Sequence, residues 1–188
     1  MGDNEYWYYY ARDRYYNACS EINSCQNRIN TLNGQKTTAV NRISHLKCEI
    51  SKHEGALDGV ETMIKIESGM NDQLKKISEA TADAAENYSS MIKSGDITSK
   101  NLNDVFANEM TTTKQTLSGI FSDLRQKKSK LNTRITELKN DLKTEQNNLE
   151  NITSSIRFTE NNMYSWQRTK LSAAYDMEYY KRKMNEAI

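Results

Sequence analysis

The chain has 188 residues, with 26 Lys and Arg against 25 Asp and Glu for a net charge of +1, and only 36% of its residues are hydrophobic. So even a charge balance gives no global attraction for nucleic acid or an anionic membrane surface, and an apolar content well below that of ordinary globular domains leaves little for a thick core. The absence of proline, the count of seven glycines and a charged fraction of 27% describe helices with a large solvated surface.

The N-terminal residues Met1, Gly2, Asp3, Asn4 and Glu5 lack the basic region and apolar run of a secretory signal. A cytoplasmic protein is expected, with export by a route that needs no signal peptide as the open alternative. No stretch approaches the roughly 20 apolar residues that cross a bilayer, so stable membrane insertion is not expected. Tyr6 stands where a myristoylation motif has Ser or Thr.

From Tyr8 onward, apolar or small residues recur at Ala11, Tyr15, Ala18, Ile22, Cys25, Ile29 and Leu32. The spacing alternates three and four, and it continues through Lys36, Ala39, Ile43, Leu46, Ile50, His53, Leu57, Val60 and Ile64. A repeat averaging 3.5 residues keeps one seam toward a partner helix and implies a left-handed supercoil. Asn33 and Gly34 form a common turn pair, but the heptad phase survives them, which predicts a continuous or merely kinked helix. On that helix the Cα atoms of Cys19 and Cys25 stand about 9 Å apart by rise alone, too far for a disulfide. With Cys48 they make an odd set of three, read as reduced thiols. His45 and Cys48 lie three apart with no second pair to complete a tetrahedral site, so no metal is expected.

A weaker helical stretch follows, carried by Leu74, Ile77, Ala80, Ala84, Tyr88 and Met91. The clearest turn is Ser94-Gly95-Asp96-Ile97-Thr98, where glycine ends one helix and Thr98 or Ser99 caps the next. Beyond it the three-four pattern returns at Met110, Leu117, Phe121, Leu124, Lys128, Leu131, Ile135 and Leu138. It runs on through Leu142, Glu145, Leu149, Ile152 and Ile156 to Met163 and Trp166. Polar seam residues such as Lys36, Lys128 and Glu145 set register or mark thin packing.

Two seams of equal character, separated by a turn near the midpoint, predict an all-α fold: one long antiparallel helical hairpin or coiled coil, 1–188 forming a single elongated domain. Its ascending arm is 5–93, its turn 94–98 and its descending arm 99–186. Ile43 then meets Leu149, Leu57 meets Ile135 and Tyr15 meets Met177. Each arm would be about 130 Å long. The alternative refolds each half, with turns near Gly34 or Gly69 and near 147–151, into a four- or five-helix elongated bundle.

The hairpin brings two aromatic clusters together: Tyr6, Trp7, Tyr8, Tyr9, Tyr10, Tyr15 and Tyr16 from one end, and Tyr164, Trp166, Tyr175, Tyr179 and Tyr180 from the other. Paired rings would zip the open end. Consecutive aromatics around a helix cannot all face one seam, so some remain exposed, and exposed Tyr and Trp are interface residues. The candidate partner-binding set is Tyr6, Trp7, Tyr8, Tyr9, Tyr10, Tyr16, Trp166, Tyr175, Tyr179 and Tyr180. The plainer reading is that these rings only close the hairpin. Neither histidine falls in a catalytic motif and there is no phosphate-binding glycine loop, so no enzyme, catalytic residue or cofactor is expected. Basic residues are interleaved with acids, which argues against nucleic acid and against a membrane-remodelling rod.

The start, Glu5-Tyr-Trp-Tyr-Tyr-Tyr10 followed by Arg12, Tyr15, Tyr16 and a heptad run, resembles the small helical proteins encoded beside LXG toxins in type VII secretion systems, relatives of the W-x-G secreted hairpins. The likeness covers about the first 50 residues and the helical design. It implies a targeting partner or chaperone that pairs with another helical protein or with a toxin's N-terminal domain. A self-associating coiled-coil protein or spacer, closing its seams as a homo-oligomer, is the alternative.

Overall fold

The computed structural model describes residues 2–91 and 96–186, and among them only Gly2 and Ile66 are not helical. The elements are α1 (Asp3–Lys65), α2 (Glu67–Met91) and α3 (Asp96–Glu186). The fold is all-α, a helical hairpin in which α3 runs antiparallel to α1 and α2. Gly34 sits inside α1 without a break, and no described residue has a positive φ. Ile66 alone separates α1 from α2, and helical bonding resumes at once, the Met70 N–H donating to the Ile66 carbonyl at 3.0 Å. Of the expected turn at 94–98, Ser94 and Gly95 lie outside the described residues. Asp96, Ile97 and Thr98 already belong to α3, so its start precedes the expected caps.

At the N-terminus of α1 the Gly2 carbonyl accepts from the N–H groups of Glu5 and Tyr6 at 3.0 and 3.2 Å. Asp3 and Glu5 occupy the first turn, where carboxylates oppose the positive end of the helix dipole.

The chain divides into two compact units, one formed by Met1–Lys47 with Asn140–Ile188 and the other by Cys48–Lys139. In the first unit α1 packs against the C-terminal part of α3. Ala39, Ile152 and Ile156 form a buried cluster, flanked by Leu32 and Leu149. Arg14 bonds Asp176 at 3.2 Å and Arg42 reaches Glu145 at 3.7 Å. Low numbers on α1 thus meet high numbers on α3, the antiparallel register that the heptads predict. Ala18 and Ala173 are both 0% exposed; Ala18 lies one turn beyond Arg14 and Ala173 nearly one turn before Asp176, which sets them at one level. Small side chains at that level let the backbones come close.

In the second unit Ile50, Ala85, Met110, Phe121, Ile135 and Leu138 are buried. Lys139 pairs with Glu54 at 2.8 Å, Lys128 with Glu61 at 2.9 Å, and Arg125 with Glu67. These pairs bracket the expected meeting of Leu57 with Ile135. The polar seam residues Lys128 and Glu145 therefore each hold an oppositely charged group on the facing helix. Lys36, by contrast, is exposed.

The stretch through α2 differs from the sequence reading. Ile77, Ala80, Ala84 and Tyr88 are exposed, whereas Leu74, Ser78 and Thr81 are half-buried and Ala85 is buried. The covered positions run Ile64, Glu67, Met70, Leu74, Ser78, Thr81 and Ala85, spaced three or four apart, with one extra step of three at Met70. The frame of the repeat, not the size of the apolar side chain, decides which face turns inward.

Candidate functional site

Trp7 projects from the first turns of α1 and Tyr180 from the last turns of α3. Their rings stack, with centroids 6.3 Å apart and planes 20° from parallel. Trp7 also meets the edges of Tyr6 at 5.3 Å and of Tyr10 at 5.7 Å. Tyr8 and Tyr9 are half-buried and meet edge to face at 5.5 Å. Cations cover three rings of this end: Arg12 lies 4.6 Å from the Tyr9 centroid, Arg14 5.8 Å from Tyr10, and Lys170, on α3, 5.4 Å from Tyr15. Each such contact adds a modest electrostatic attraction to the ring face.

The candidate residues divide into two groups. Tyr8, Tyr9, Trp166 and Tyr180 are half-buried, and Tyr180 closes the helix pair through Trp7. Tyr6, Trp7, Tyr10, Tyr16, Tyr175 and Tyr179 are exposed. On α1 the exposed rings of Tyr6 and Tyr10 lie one turn apart, off the face that buries Ala11 and Ala18. On α3 Tyr175 is 75% exposed and shares its outer face with two residues the candidate set omits, Tyr164 at 66% and Leu171 at 60% exposure. Leu171 was legible only once the inner seam of α3 is known: Thr159, Met163, Trp166, Lys170, Ala173, Met177 and Tyr180 are buried or half-buried, and Leu171 falls opposite them.

Thr159 and Ala173 are further members of that inner seam which apolar periodicity alone misses. Thr159 is 3% exposed and its Oγ1 donates to the Ser155 carbonyl at 2.8 Å, so the hydroxyl is satisfied within the helix. Between the helices a shallow groove is lined by Tyr8, Tyr15, Ala174, Met177, Glu178 and Lys181. Tyr15 and Met177, expected to meet, share its walls. At the end of α3 the Lys183 ammonium bonds Glu186 at 2.6 Å, which raises the lysine pKa and lowers that of the carboxyl.

No family model matches the chain. No curated protein and no solved structure matches it either.

The remaining chemistry-bearing groups are dispersed. His53 Nδ1 is bonded to the Glu49 carbonyl at 2.8 Å; since a carbonyl only accepts, Nδ1 carries the proton. Cys19 and Cys25 are half-buried thiols and Cys48 an exposed one. Among the described residues no three His, Cys, Asp or Glu side chains converge as metal ligands would, and no helix is long and apolar enough to cross a membrane. A second open groove lies in the other unit, its lining including Ile66, Gly69, Met70, Leu74, Ile77 and Leu117. The aromatic end carries large rings on regular helix, with cations interleaved.

Proposed function

We propose that the protein is a non-enzymatic helical docking partner, which binds another helical chain through the aromatic end of its first unit. The observation that carries this reading is the exposure of Tyr6, Tyr10, Tyr16, Tyr164, Tyr175 and Tyr179 on two packed helices. Exposed aromatics clustered in this way are unusual on a surface that meets only water, and Tyr and Trp dominate the binding energy of interfaces. They sit on regular helix, so little ordering entropy opposes binding. The resemblance of the N-terminal Tyr and Trp run to the type VII secretion helical proteins supports a choice of partner, the helical N-terminal domain of an LXG toxin. The role would then be that of a chaperone or targeting subunit.

The test is co-expression with the N-terminal domain of an LXG toxin from the same genome, followed by size-exclusion chromatography with light scattering. A defined complex that is lost on replacing Tyr6, Tyr10, Tyr175 and Tyr179 by Ser, with helicity retained, supports the proposal. A chain that ignores the toxin domain and runs as a stable dimer would replace it with self-association.

A further inference from the structure

Resting on the docking reading above, we propose that the seat for the partner is the outer face of α3 between Arg157 and Arg182, and that the partner contributes an amphipathic helix whose apolar stripe is flanked by acidic residues. Three exposed apolar side chains of this face, Tyr164, Leu171 and Tyr175, lie seven and four residues apart, with Asn161 and charged residues at the other positions of the same rows. Arg157, Tyr164, Leu171 and Glu178 recur every seven residues. Arg168, Tyr175 and Arg182 recur every seven as well and fall between them, so the two rows alternate four and three along α3. All seven are exposed. This is the spacing that an antiparallel or parallel helix reads in a coiled coil, and it lies across the helix from the inner seam that carries Ala173. No described residue of the chain packs on it as Trp7 packs on Tyr180.

Charge specifies the occupant. The face contains three arginines and one acid, Glu178, with Glu160 beside it. Elsewhere in the same unit three of the four arginines are engaged with acids, Arg12 with Asp13, Arg14 with Asp176 and Arg42 with Glu145, and only Arg28 is not, among the described residues. Among the described residues the Arg157 and Arg168 guanidinium groups have no ion pair or hydrogen bond, while Arg182 contacts the backbone carbonyl of Glu178 from Nε at 3.5 Å and helps to lower the pKa of Glu186. Three guanidinium groups set among Tyr164, Leu171 and Tyr175 leave the face with more positive than negative charge. Acidic residues flanking the partner's apolar stripe would pair with them and exclude basic competitors.

The probes are two synthetic helical peptides with identical leucine heptads, one flanked by Glu and the other by Lys, titrated into the full chain by fluorescence anisotropy. The Glu peptide should bind saturably, more weakly as salt is raised, while the Lys peptide should not. Leu171→Glu with Tyr175→Glu should weaken binding by roughly tenfold or more. The triple reversal R157E, R168E and R182E should transfer binding to the Lys peptide, with circular dichroism confirming an unchanged helix. Equal binding of both peptides, or none, overturns the inference. Binding lost on Tyr6→Glu with Tyr10→Glu but kept in the α3 variants overturns it too, while leaving the docking reading intact with its seat on α1. A doubled mass for the chain alone, abolished by the Leu171 and Tyr175 changes, would make the face a contact between copies and likewise overturn it.

Discussion

Trp7 and Tyr180, 173 positions apart in the chain, stack at 6.3 Å between centroids, so the N-terminal turns of α1 and the C-terminal turns of α3 are joined by an aromatic contact. Tyr180→Ala should cost about 1 kcal/mol beyond the lost area. The loss should be local: amide exchange is expected to accelerate in the first two turns of α1 and the last two of α3. Unchanged protection there would mean the stack contributes nothing to closing this end.

Ala18 and Ala173 are both wholly covered, so added methylenes would have to be accommodated inside the helix interface. Ala173→Leu should destabilise by roughly 1 to 3 kcal/mol through overpacking, read as a lowered urea midpoint. The same change at the exposed Ala84 should be nearly silent, which separates crowding from helix propensity.

A methyl group at Gly34 would meet nothing within 4 Å, and the residue is helical with no positive φ. Gly34→Ala should therefore stabilise by about 0.5 to 1 kcal/mol, because alanine has less backbone freedom to lose. A lowered thermal midpoint would show that the glycine permits a distortion of α1 that alanine opposes.

Much of the seam pattern was legible in advance for a physical reason. A two-helix interface is one side chain thick, so the three-four spacing of Ala11, Ala18, Ile29, Ala39, Leu46 and Ile50 maps directly onto burial. The placement was less legible where side-chain size and repeat frame disagree: Ile77 and Tyr88 are large yet exposed, while Ser78, Thr81 and Ala85 hold the frame with Leu74. For the candidate surface, composition located the aromatic end but not its two sides. Tyr180 and Trp166 belong to the inner seam, and Leu171, with no aromatic ring to draw notice, belongs to the outer face. The interruption at Ile66 has no Pro or Gly at the residue itself to announce it.

Lys128 holds the Glu61 carboxyl below its ordinary pKa, chiefly by hydrogen bonding and then by charge. A carboxyl with a lowered folded pKa contributes stability that is present above its unfolded pKa and is lost as pH falls through the folded value. Lys128→Met should thus narrow the difference in urea midpoint between neutral and acidic solution relative to the parent chain. The pair is partly open to solvent, so the contribution should also shrink in high salt. A parent and variant with parallel pH profiles would show that the pair does not couple folding to protonation.

Cys48 is exposed, whereas Cys19 and Cys25 are half-buried. A thiol reagent such as an aromatic disulfide should modify Cys48 first, with Cys19 and Cys25 following more slowly. Uniform kinetics for all three would indicate that α1 opens on the labelling timescale.

Among the described residues no large side chain is fully buried; only small alanines, such as Ala18 and Ala173, are wholly covered. Damage therefore has no deep interior through which to spread. Within each unit, cohesion accumulates rung by rung, as in a ladder, and a weakened rung should invite proteolytic nicking at its own level while rungs a few turns away hold.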